Sequence, residues 1–329
     1  MKRRTLAFTA PRRIEILEDD VPTPAGKTLL VRTAFSAISA GTELLLYRGD
    51  IPEGLVLDET LPALRAPFRY PASYGYAAVG EVVGIGDGAD ASWMGKTVFS
   101  FHPHTSHFLA AEEALYEVPE GVTAETATHW PMIETAVNLV LDAQPLVGER
   151  VLVVGQGVVG LAATKLLARF PLELLWSVDP VASRRQASLR AGADRSLDPD
   201  ELRAGSDFDL SFELSGTAAG LNVAIAATGF EGRVVIGSWY GAKRIDVDLG
   251  TYFHRGRLRL VSSQVSHIGS PLLSRWSKKR RMDVAAEALS EASELALITH
   301  RFPLERASEA YALIDERPED CLQVLLAYT

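Results

Sequence analysis

The segment VLVVGQGVVG, residues 151–160, decides the fold of this 329-residue chain. Its first four residues form an apolar run typical of a buried strand, and LAATKLLARF at 161–170 has the apolar spacing of a helix. Between them, Gly155, Gly157 and Gly160 match the GxGxxG pattern of a dinucleotide-binding turn. Because strand, loop and helix occur in the required order, the segment predicts a βαβ unit that holds a pyrophosphate at the helix N-terminus.

The three glycines of this turn have different predicted tasks. The first permits the tight turn, the second lets the backbone approach the pyrophosphate, and the third lets helix and strand pack closely. The helix N-terminus adds unpaired N–H groups and the positive end of its dipole. The predicted cofactor-binding turn therefore consists of Gly155, Gln156, Gly157, Val158, Val159 and Gly160.

The choice of cofactor depends on an acid expected about 20 residues further on, at the end of the second strand. Asp179 ends the apolar run LLWSVD at 174–179. A carboxylate there accepts hydrogen bonds from the ribose hydroxyls and repels a 2′-phosphate, which favours NAD(H) over NADP(H). Arg184 and Arg185 follow closely enough to reach a 2′-phosphate, or else they lie in the first turns of the next helix.

The pattern of strand-like and helix-like segments along the sequence predicts two domains. Residues 132–264 alternate strands with helices, which is typical of a parallel sheet. Residues 1–131 contain short β-branched runs between turn signals, which favour a barrel-like β domain. Residues 265–329 return to a mixed pattern of helix and strand.

Composition excludes several classes of protein. With 33 basic and 42 acidic residues the formal net charge is −9, which argues against a nucleic-acid binder. A single cysteine, Cys321, excludes a disulfide framework and a cysteine-built zinc site. No apolar run approaches the roughly 18 residues of a membrane span, and the basic N-terminus lacks the apolar core of a signal peptide. We therefore expect a reduced, cytoplasmic enzyme or binding protein with no membrane partner.

Several motifs along the chain resemble the medium-chain dehydrogenases/reductases. They are ISAGTELLLYRG (38–49), ASYGYAAVGEVVGIGDG (72–88), the nucleotide turn, AGADRSLDP (191–199) and ITHRFPLERASEAY (298–311). The resemblance runs essentially from end to end and is nearest to the bacteriochlorophyllide a dehydrogenase-like branch, which includes oxidations of a hydroxyethyl side chain to acetyl.

The resemblance implies an α/β architecture. A GroES-like, β-rich catalytic domain, residues 1–131 and 265–329, would clasp a Rossmann dinucleotide-binding domain, residues 132–264. Cofactor and substrate would lie in the cleft between them. The resemblance also implies a homodimer formed through the edge of the Rossmann sheet.

Departures from the family pattern concern zinc. Ala40 stands where zinc-dependent members carry a cysteine ligand, and Tyr76 and Ala77 stand where they carry a histidine and an acid. Glu134 does match a position that serves as a ligand in some relatives. One carboxylate cannot supply the three protein ligands of a catalytic zinc site, so we expect a zinc-free member with no metal.

Without zinc, side chains must stabilise the alkoxide and manage its proton. By resemblance, Thr42 matches the family's relay hydroxyl, and the phenol of Tyr76 would face the reacting oxygen. The ordinary pKa of a tyrosine, near 10, is high for a base, so Tyr76 would need a neighbouring cation or the nicotinamide charge to ionise. Ser39 and Glu134 are further candidates, and a satisfied structural role is the alternative for each residue.

Two clusters leave alternatives open. The segment FHPHTSHF contains His102, His104 and His107. On a strand, His102 and His104 would share a face and suggest a metal pair, but Pro103 and the lack of an obvious carboxylate partner favour a pocket-lining or surface role. His129 and Trp130 precede the domain junction, so either ring could line the substrate cleft.

The one basic run, 278–281, reads as a solvated helix start, with an anchor for an anionic substrate as the alternative.

Together these observations predict an NAD(H)-dependent, zinc-independent oxidoreductase that interconverts a secondary alcohol and a ketone on a small-molecule, bulky substrate. One alternative is a quinone or enoyl reductase of the same superfamily, although Asp179 counts against the NADPH those enzymes usually take. The other is a non-catalytic NAD(H)-binding sensor.

Overall fold

The computed structural model describes residues 2–52, 54–61, 64–203 and 205–328. The chain divides into two compact units. Unit 1 comprises Met1–Pro131 and Ala296–Thr329, and unit 2 comprises Met132–Leu295. Within the described part of the chain, no helix is both long and apolar enough to cross a membrane.

Unit 1 is rich in β structure. Its strands are β1 (Lys2–Ala10), β2 (Arg13–Asp20), β3 (Thr28–Ile38), β4 (Ala78–Ile85), β5 (Thr97–Ser100), β6 (His107–Ala111), β7 (Tyr116–Glu117), β14 (Ile298–Pro303) and β15 (Gln323–Ala327). Its helices are α1 (Ala40–Arg48), α2 (Ala124–Ala127) and α8 (Ala307–Glu316). Strands β1 and β2 form an antiparallel pair, while the others form a sheet of order β14-β15-β3-β4-β5-β7 with β6 on β3.

The long strand β3 separates two apolar clusters in unit 1. Leu29 and Val31, in its first half, pack in one cluster with residues of β4, β5 and β6. Ile38, at its end, packs in the other with side chains of α1 and α8. Helix α1 follows directly, with Ser39 at its N-cap.

Unit 2 contains the predicted parallel sheet. Its strands are β8 (Arg150–Val154), β9 (Leu174–Val178), β10 (Arg195–Leu197), β11 (Phe208–Glu213), β12 (Thr228–Ile236) and β13 (Arg259–Ser262). Its helices are α3 (Trp130–Ala143), which begins within unit 1, α4 (Val158–Leu167), α5 (Ala182–Ala191), α6 (Ala218–Ala227) and α7 (Lys278–Ala292). The sheet is parallel, with order β10-β9-β8-β11-β12-β13. This is the doubly wound Rossmann order: β9 and β10 are added on one side of β8, and β11 to β13 on the other.

Strand β8 is buried on both sides, as its unbroken apolar run predicted. Val151 and Val153 pack in one cluster with α3 and α4, whereas Leu152 and Val154 pack in another with α6. Alternation of side chains along a strand sends successive residues to opposite faces, so helices on both faces require apolar residues throughout.

The segment 265–295 differs from the sequence interpretation, which placed it in the catalytic domain. It lies in unit 2, because helix α7 within it is tied to α3 by a buried ion pair between Arg281 and Glu134. A pairing between residues so far apart leaves no local signal in the sequence.

Candidate functional site

The turn between β8 and α4 has the steric requirements of a dinucleotide loop. Gly155 has φ +94°, and a Cβ there would lie 2.6 Å from the backbone nitrogen of Ser215. A Cβ on Gly160 would lie 2.0 Å from the carbonyl oxygen of Gly155. A Cβ on Gly157, the N-cap of α4, would meet no protein atom within 4 Å. Gly155 and Gly160 are thus required by the protein itself, whereas Gly157 keeps the space before the helix open.

Asp179 connects this turn to the end of β9. Its Oδ2 accepts the backbone N–H of Gln156 at 2.7 Å, and its Oδ1 accepts that of Val181 at 2.8 Å. The residue is only 2% exposed. A carboxylate has about four lone-pair sites, so acceptor capacity remains for ribose hydroxyls. Asp179 therefore fits a ribose and also braces the loop, a second task that the sequence did not indicate.

The other residues of the predicted cofactor set surround this brace. The buried side chain of Gln156 accepts the hydroxyl of Thr164 at 3.1 Å and so joins the turn to α4. Val158 and Val159 form the first turn of α4, whose leading N–H groups have no partner within the helix. These groups, the open space at Gly157 and the Asp179 carboxylate suit a dinucleotide phosphate and ribose.

Two arginines follow β9 in the first turns of α5, in agreement with one of the two sequence alternatives. Arg184 is half-buried there. Arg185 donates from Nη1 to the carbonyl oxygens of Asp179 and Pro180 at 2.8 Å and to the Asp198 carboxylate at 3.0 Å. Its guanidinium is thus engaged in holding the chain after β9.

In unit 1 the structure brings three predicted catalytic candidates together. The phenol of Tyr76 donates a hydrogen bond to Oγ of Ser39, and the side chain of Thr42 is near enough to lower the pKa of Tyr76. Ser39 ends the β3-to-α1 connection and its Oγ makes no capping bond to α1. The cluster therefore presents three hydroxyl groups on two adjacent segments.

The protonation state of Tyr76 differs from the ionised form considered from the sequence. Burial raises the pKa of Tyr76 above its ordinary value of 10, and the nearby Glu43 carboxylate acts in the same direction. The side chains of Ser39 and Thr42 lower the pKa of Tyr76, each by less than burial raises it. The phenol therefore stays neutral at physiological pH and serves as a hydrogen-bond donor or acid.

Behind this cluster lies a buried carboxylate that sequence reasoning missed. Glu43, fully buried, accepts the backbone N–H of Ser39 at 2.8 Å, Nε2 of His104 at 2.8 Å and the hydroxyl of Tyr311. The other ring nitrogen of His104 bonds to Oγ of Ser36 at 2.6 Å. The only signal in the sequence was the position of Glu43 inside the AGTE motif.

His104 therefore does have a carboxylate partner, contrary to the sequence interpretation. Residues 101–106 do not form a regular strand, because β6 begins at His107, so the argument about shared strand faces fails. His104 and His107 are buried, which excludes a surface role for them. His102 stacks on Phe108 with ring centroids 4.1 Å apart, and burial lowers its pKa to about 4.

The candidate Glu134 has a different environment. Its carboxylate accepts Nε and Nη2 of Arg281 at 3.0 and 2.8 Å, and both side chains are almost completely buried. Arg281 is the last residue of the basic run 278–281. Helix α7 does start at Lys278, and Lys279 and Arg280 are exposed, but Arg281 is buried and departs from the predicted solvated helix start. Burial is tolerated because Arg281 also donates to Asn138 and to the carbonyl of Val265.

His129 and Trp130 are both buried at the end of unit 1. Nδ1 of His129 donates to the carbonyl oxygen of Thr126 at 3.0 Å, and burial lowers the pKa of His129 to about 4. The imidazole is therefore neutral above that pH.

No family model matches the chain. It is 25% identical over 310 residues to D-guloside 3-dehydrogenase of Escherichia coli K12, covering 87% of this chain and 88% of that protein. It is also 25% identical over 349 residues to 2-desacetyl-2-hydroxyethyl bacteriochlorophyllide A dehydrogenase of Cereibacter sphaeroides, covering 99% and 98%. The chain is a homologue of the medium-chain dehydrogenases/reductases.

Solved structures confirm the medium-chain fold. RspB from Escherichia coli CFT073, crystallised with NADH, superposes with a TM-score of 0.77 at 18% identity and 99% coverage of both chains. A dehydrogenase from Sinorhizobium meliloti 1021 bound to NADP gives 0.75 at 17% identity, again with 99% coverage of both. The predicted Rossmann and GroES-like fold class is therefore confirmed. The curated relatives, both dehydrogenases, confirm the assignment to the oxidoreductases.

The donor set at the family's zinc positions does not suit a zinc ion. The side chains of Ala40 and Ala77 carry no ligand atom, and the hydroxyl of Tyr76 donates a hydrogen bond to Ser39. Glu134, the remaining position, is engaged by Arg281. Across the described residues, no group of three or more histidine, cysteine or acidic side chains is arranged to hold a metal ion. Zinc requires three such protein ligands in a catalytic site, so no step is assigned to it.

Proposed function

We propose that this medium-chain dehydrogenase/reductase interconverts a secondary alcohol and a ketone with NAD(H) and without zinc. The observation that carries the proposal is the neutral phenol of Tyr76, which donates a hydrogen bond to Ser39 and lies near Thr42. By the family resemblance, this is a position where zinc-dependent members carry a ligand. The printed names of two relatives specify dehydrogenation of a guloside and of a hydroxyethyl bacteriochlorophyllide. Both names support an alcohol as the substrate class.

The cofactor supplies hydride transfer when it is bound. The turn from Gly155 to Gly160 would hold its pyrophosphate against the N-terminus of α4, and Asp179 would accept the ribose hydroxyls. The negative charge of Asp179 disfavours a 2′-phosphate, which is the basis for proposing NAD(H). The relatives' structures contain both NADH and NADP, so the preference is part of the proposal.

Tyr76 stabilises the substrate oxygen in this mechanism. A neutral phenol donates a hydrogen bond to a carbonyl oxygen. This hydrogen bond becomes stronger as negative charge develops on the oxygen, and in this way a preorganised donor lowers the barrier. In reduction the phenol proton passes to the alkoxide, and water supplies its replacement through the hydroxyls of Ser39 and Thr42, each of which gives one proton towards Tyr76 and takes up another. In oxidation the proton moves in the opposite direction along the same hydroxyls.

Turnover and metal content test the proposal. The purified protein is incubated with NAD⁺ or NADP⁺ and a panel of methyl glycosides, polyols and 1-aryl ethanols, and absorbance at the reduced nicotinamide band is followed. We expect oxidation of at least one secondary alcohol with NAD⁺, unchanged by a zinc chelator. Failure of every alcohol in the panel, or about one tightly held zinc per chain by metal analysis, would overturn it.

The role of Tyr76 has its own variant. Tyr76→Phe removes one donor and keeps the ring, so kcat should fall by about 10²–10³, the typical cost of losing one oxyanion donor. Affinity for NADH, measured by nicotinamide fluorescence, should not change. Tyr252→Phe, at an exposed tyrosine of unit 2, is the matched control. Full turnover by Tyr76→Phe would move the proton route to another residue.

The homodimer through the Rossmann sheet edge and the cytoplasmic location stay predictions.

A further inference from the structure

We propose that Glu43 and His104 form a buried positioning pair that holds the Tyr76 phenol against Ser39. The proposal rests on the proposed function for its chemical consequence, but its decisive measurement needs no turnover. Neither residue belongs to the zinc positions or to the nucleotide turn, and the proposed mechanism above uses neither.

The first half of the pair, Glu43, acts on the acceptor of the Tyr76 hydrogen bond. Its Oε1 accepts the backbone N–H of Ser39 at 2.8 Å, and the backbone N–H of Glu43 returns to the carbonyl of Ser39 at 2.8 Å. Ser39 is therefore held through both of its backbone polar groups by one residue. Since the Ser39 Oγ accepts the Tyr76 phenol, the place of that oxygen depends on Glu43.

The second half, His104, acts on the donor side of the same bond. A Cβ on Gly75, the residue before Tyr76, would lie 2.9 Å from Cδ2 of His104, so the chain passes directly against the imidazole. The backbone N–H of His104 also donates to the carbonyl of Tyr74 at 3.2 Å. His104 thus supports the two residues that precede Tyr76 and leaves no space for a larger side chain at position 75.

A hydrogen bond of 2.8 Å between Nε2 of His104 and Oε2 of Glu43 joins the two halves. Both side chains are fully buried, as is Tyr311, which donates its hydroxyl to the same carboxylate. A buried carboxylate is costly unless it is fully hydrogen-bonded, and Glu43 receives three donors from three separate segments. Such a site has one arrangement of low energy, which makes it suited to fixing geometry.

An outer pair of hydroxyls orients the imidazole. Nδ1 of His104 bonds to Ser36 Oγ at 2.6 Å, and Ser36 Oγ bonds to the hydroxyl of Tyr328 at 2.8 Å. With both ring nitrogens engaged, rotation of the ring would break two hydrogen bonds. The pair therefore clamps the donor and the acceptor of the Tyr76–Ser39 bond from behind.

A spectroscopic measurement tests the clamp directly. The protein is labelled with ¹³C at Cζ of tyrosine, and Tyr76→Phe identifies the Tyr76 signal. Glu43→Gln should shift that signal, because the phenol changes its hydrogen bond. Glu125→Gln is the matched control, since Glu125 is an acid in the same unit paired with Arg301 at the surface, and it should leave the signal in place.

A double-mutant comparison separates positioning from a through-space charge effect. In a Ser39→Ala background the Tyr76 signal has already lost its acceptor, so Glu43→Gln should shift it clearly less. An equal shift of the Tyr76 signal in both backgrounds would mean that Tyr76 responds only to the charge of Glu43. No shift in the parent background would mean that Glu43 does not position Tyr76. Either result overturns the proposal.

Two further measurements guard against misfolding and link the clamp to the reaction. If Glu43→Gln does not fold, Tyr311→Phe removes one donor from Glu43 while keeping the ring, and the Tyr76 signal should still shift. On any alcohol that is turned over, Glu43→Gln should lower kcat about 10²-fold with KM little changed, the usual cost of misplacing a reacting group by about 1 Å. A shifted signal without turnover by the parent protein would refute the proposed function and leave the clamp intact.

Discussion

Replacing Arg281 by methionine provides a quantitative test of how unit 2 is held together. The side chains of Arg281 and Glu134 are 1% and 3% exposed, and Nη2 of Arg281 lies 2.8 Å from Oε1 of Glu134. Methionine keeps most of the length of arginine but removes its charge and donors. Glu134 would then be a buried carboxylate without this cation, and breaking such a pair from one side costs about 3–5 kcal/mol.

The compensating double variant sharpens the expectation. Glu134→Gln together with Arg281→Met leaves no buried charge, and replacing a whole buried pair by neutral groups is often nearly neutral. We therefore expect the double variant to be more stable than Arg281→Met alone, with a coupling free energy of about 1–3 kcal/mol. Lys279→Met is the control, because the exposed Lys279–Asp283 pair contributes only about 0.5 kcal/mol.

Urea unfolding, followed by circular dichroism, measures these differences. The midpoint should fall strongly for Arg281→Met, little for Lys279→Met, and to an intermediate extent for the double variant. An Arg281→Met midpoint equal to that of the parent would refute the reasoning. If instead Glu134→Gln keeps full stability but loses turnover, Glu134 is a reacting group and not a structural one.

Three further predictions concern the cofactor turn and acid stability. Asp179→Asn keeps the size of the side chain but removes the charge and one of the two acceptor oxygens that brace the turn. The preference for NADH over NADPH, measured by fluorescence titration, should narrow about tenfold or more, equivalent to about 1.4 kcal/mol. Gly157→Ala should leave the melting temperature unchanged but weaken NADH binding. Gly160→Ala should lower the melting temperature, because its Cβ would lie 2.0 Å from a carbonyl oxygen. A lower melting temperature for Gly157→Ala than for Gly160→Ala would refute the assigned roles. Burial lowers the pKa of His129 from 6.5 to about 4, so the unfolded chain binds the extra proton between those values, and stability falls as pH decreases through them. His129→Gln should therefore lose about 2 kcal/mol less than the parent between pH 7 and pH 5 in urea titrations, and equal losses would contradict the burial argument.

The sequence by itself determined the Rossmann unit and its nucleotide turn. Buried strands, helix spacing and the glycines at 155 and 160 are local features, and the steric limits that require glycine arise within one βαβ unit. The end-to-end resemblance indicated the second, β-rich unit. It also indicated Tyr76, Thr42 and Ser39, which share a cluster because the β3-to-α1 connection and the segment before β4 meet at one edge.

Only the tertiary structure decided which charges are buried and what they hold. Glu43 meets His104 across 61 positions and Tyr311 across 268, and Arg281 meets Glu134 across 147. An isolated acid or a basic run looks solvated in a sequence, because burial of a charge depends on a partner that local spacing does not reveal. For the same reason the sequence pattern places residues 265–295 in the other domain, since the ion pair that joins this segment to α3 forms only when distant parts of the chain have folded together.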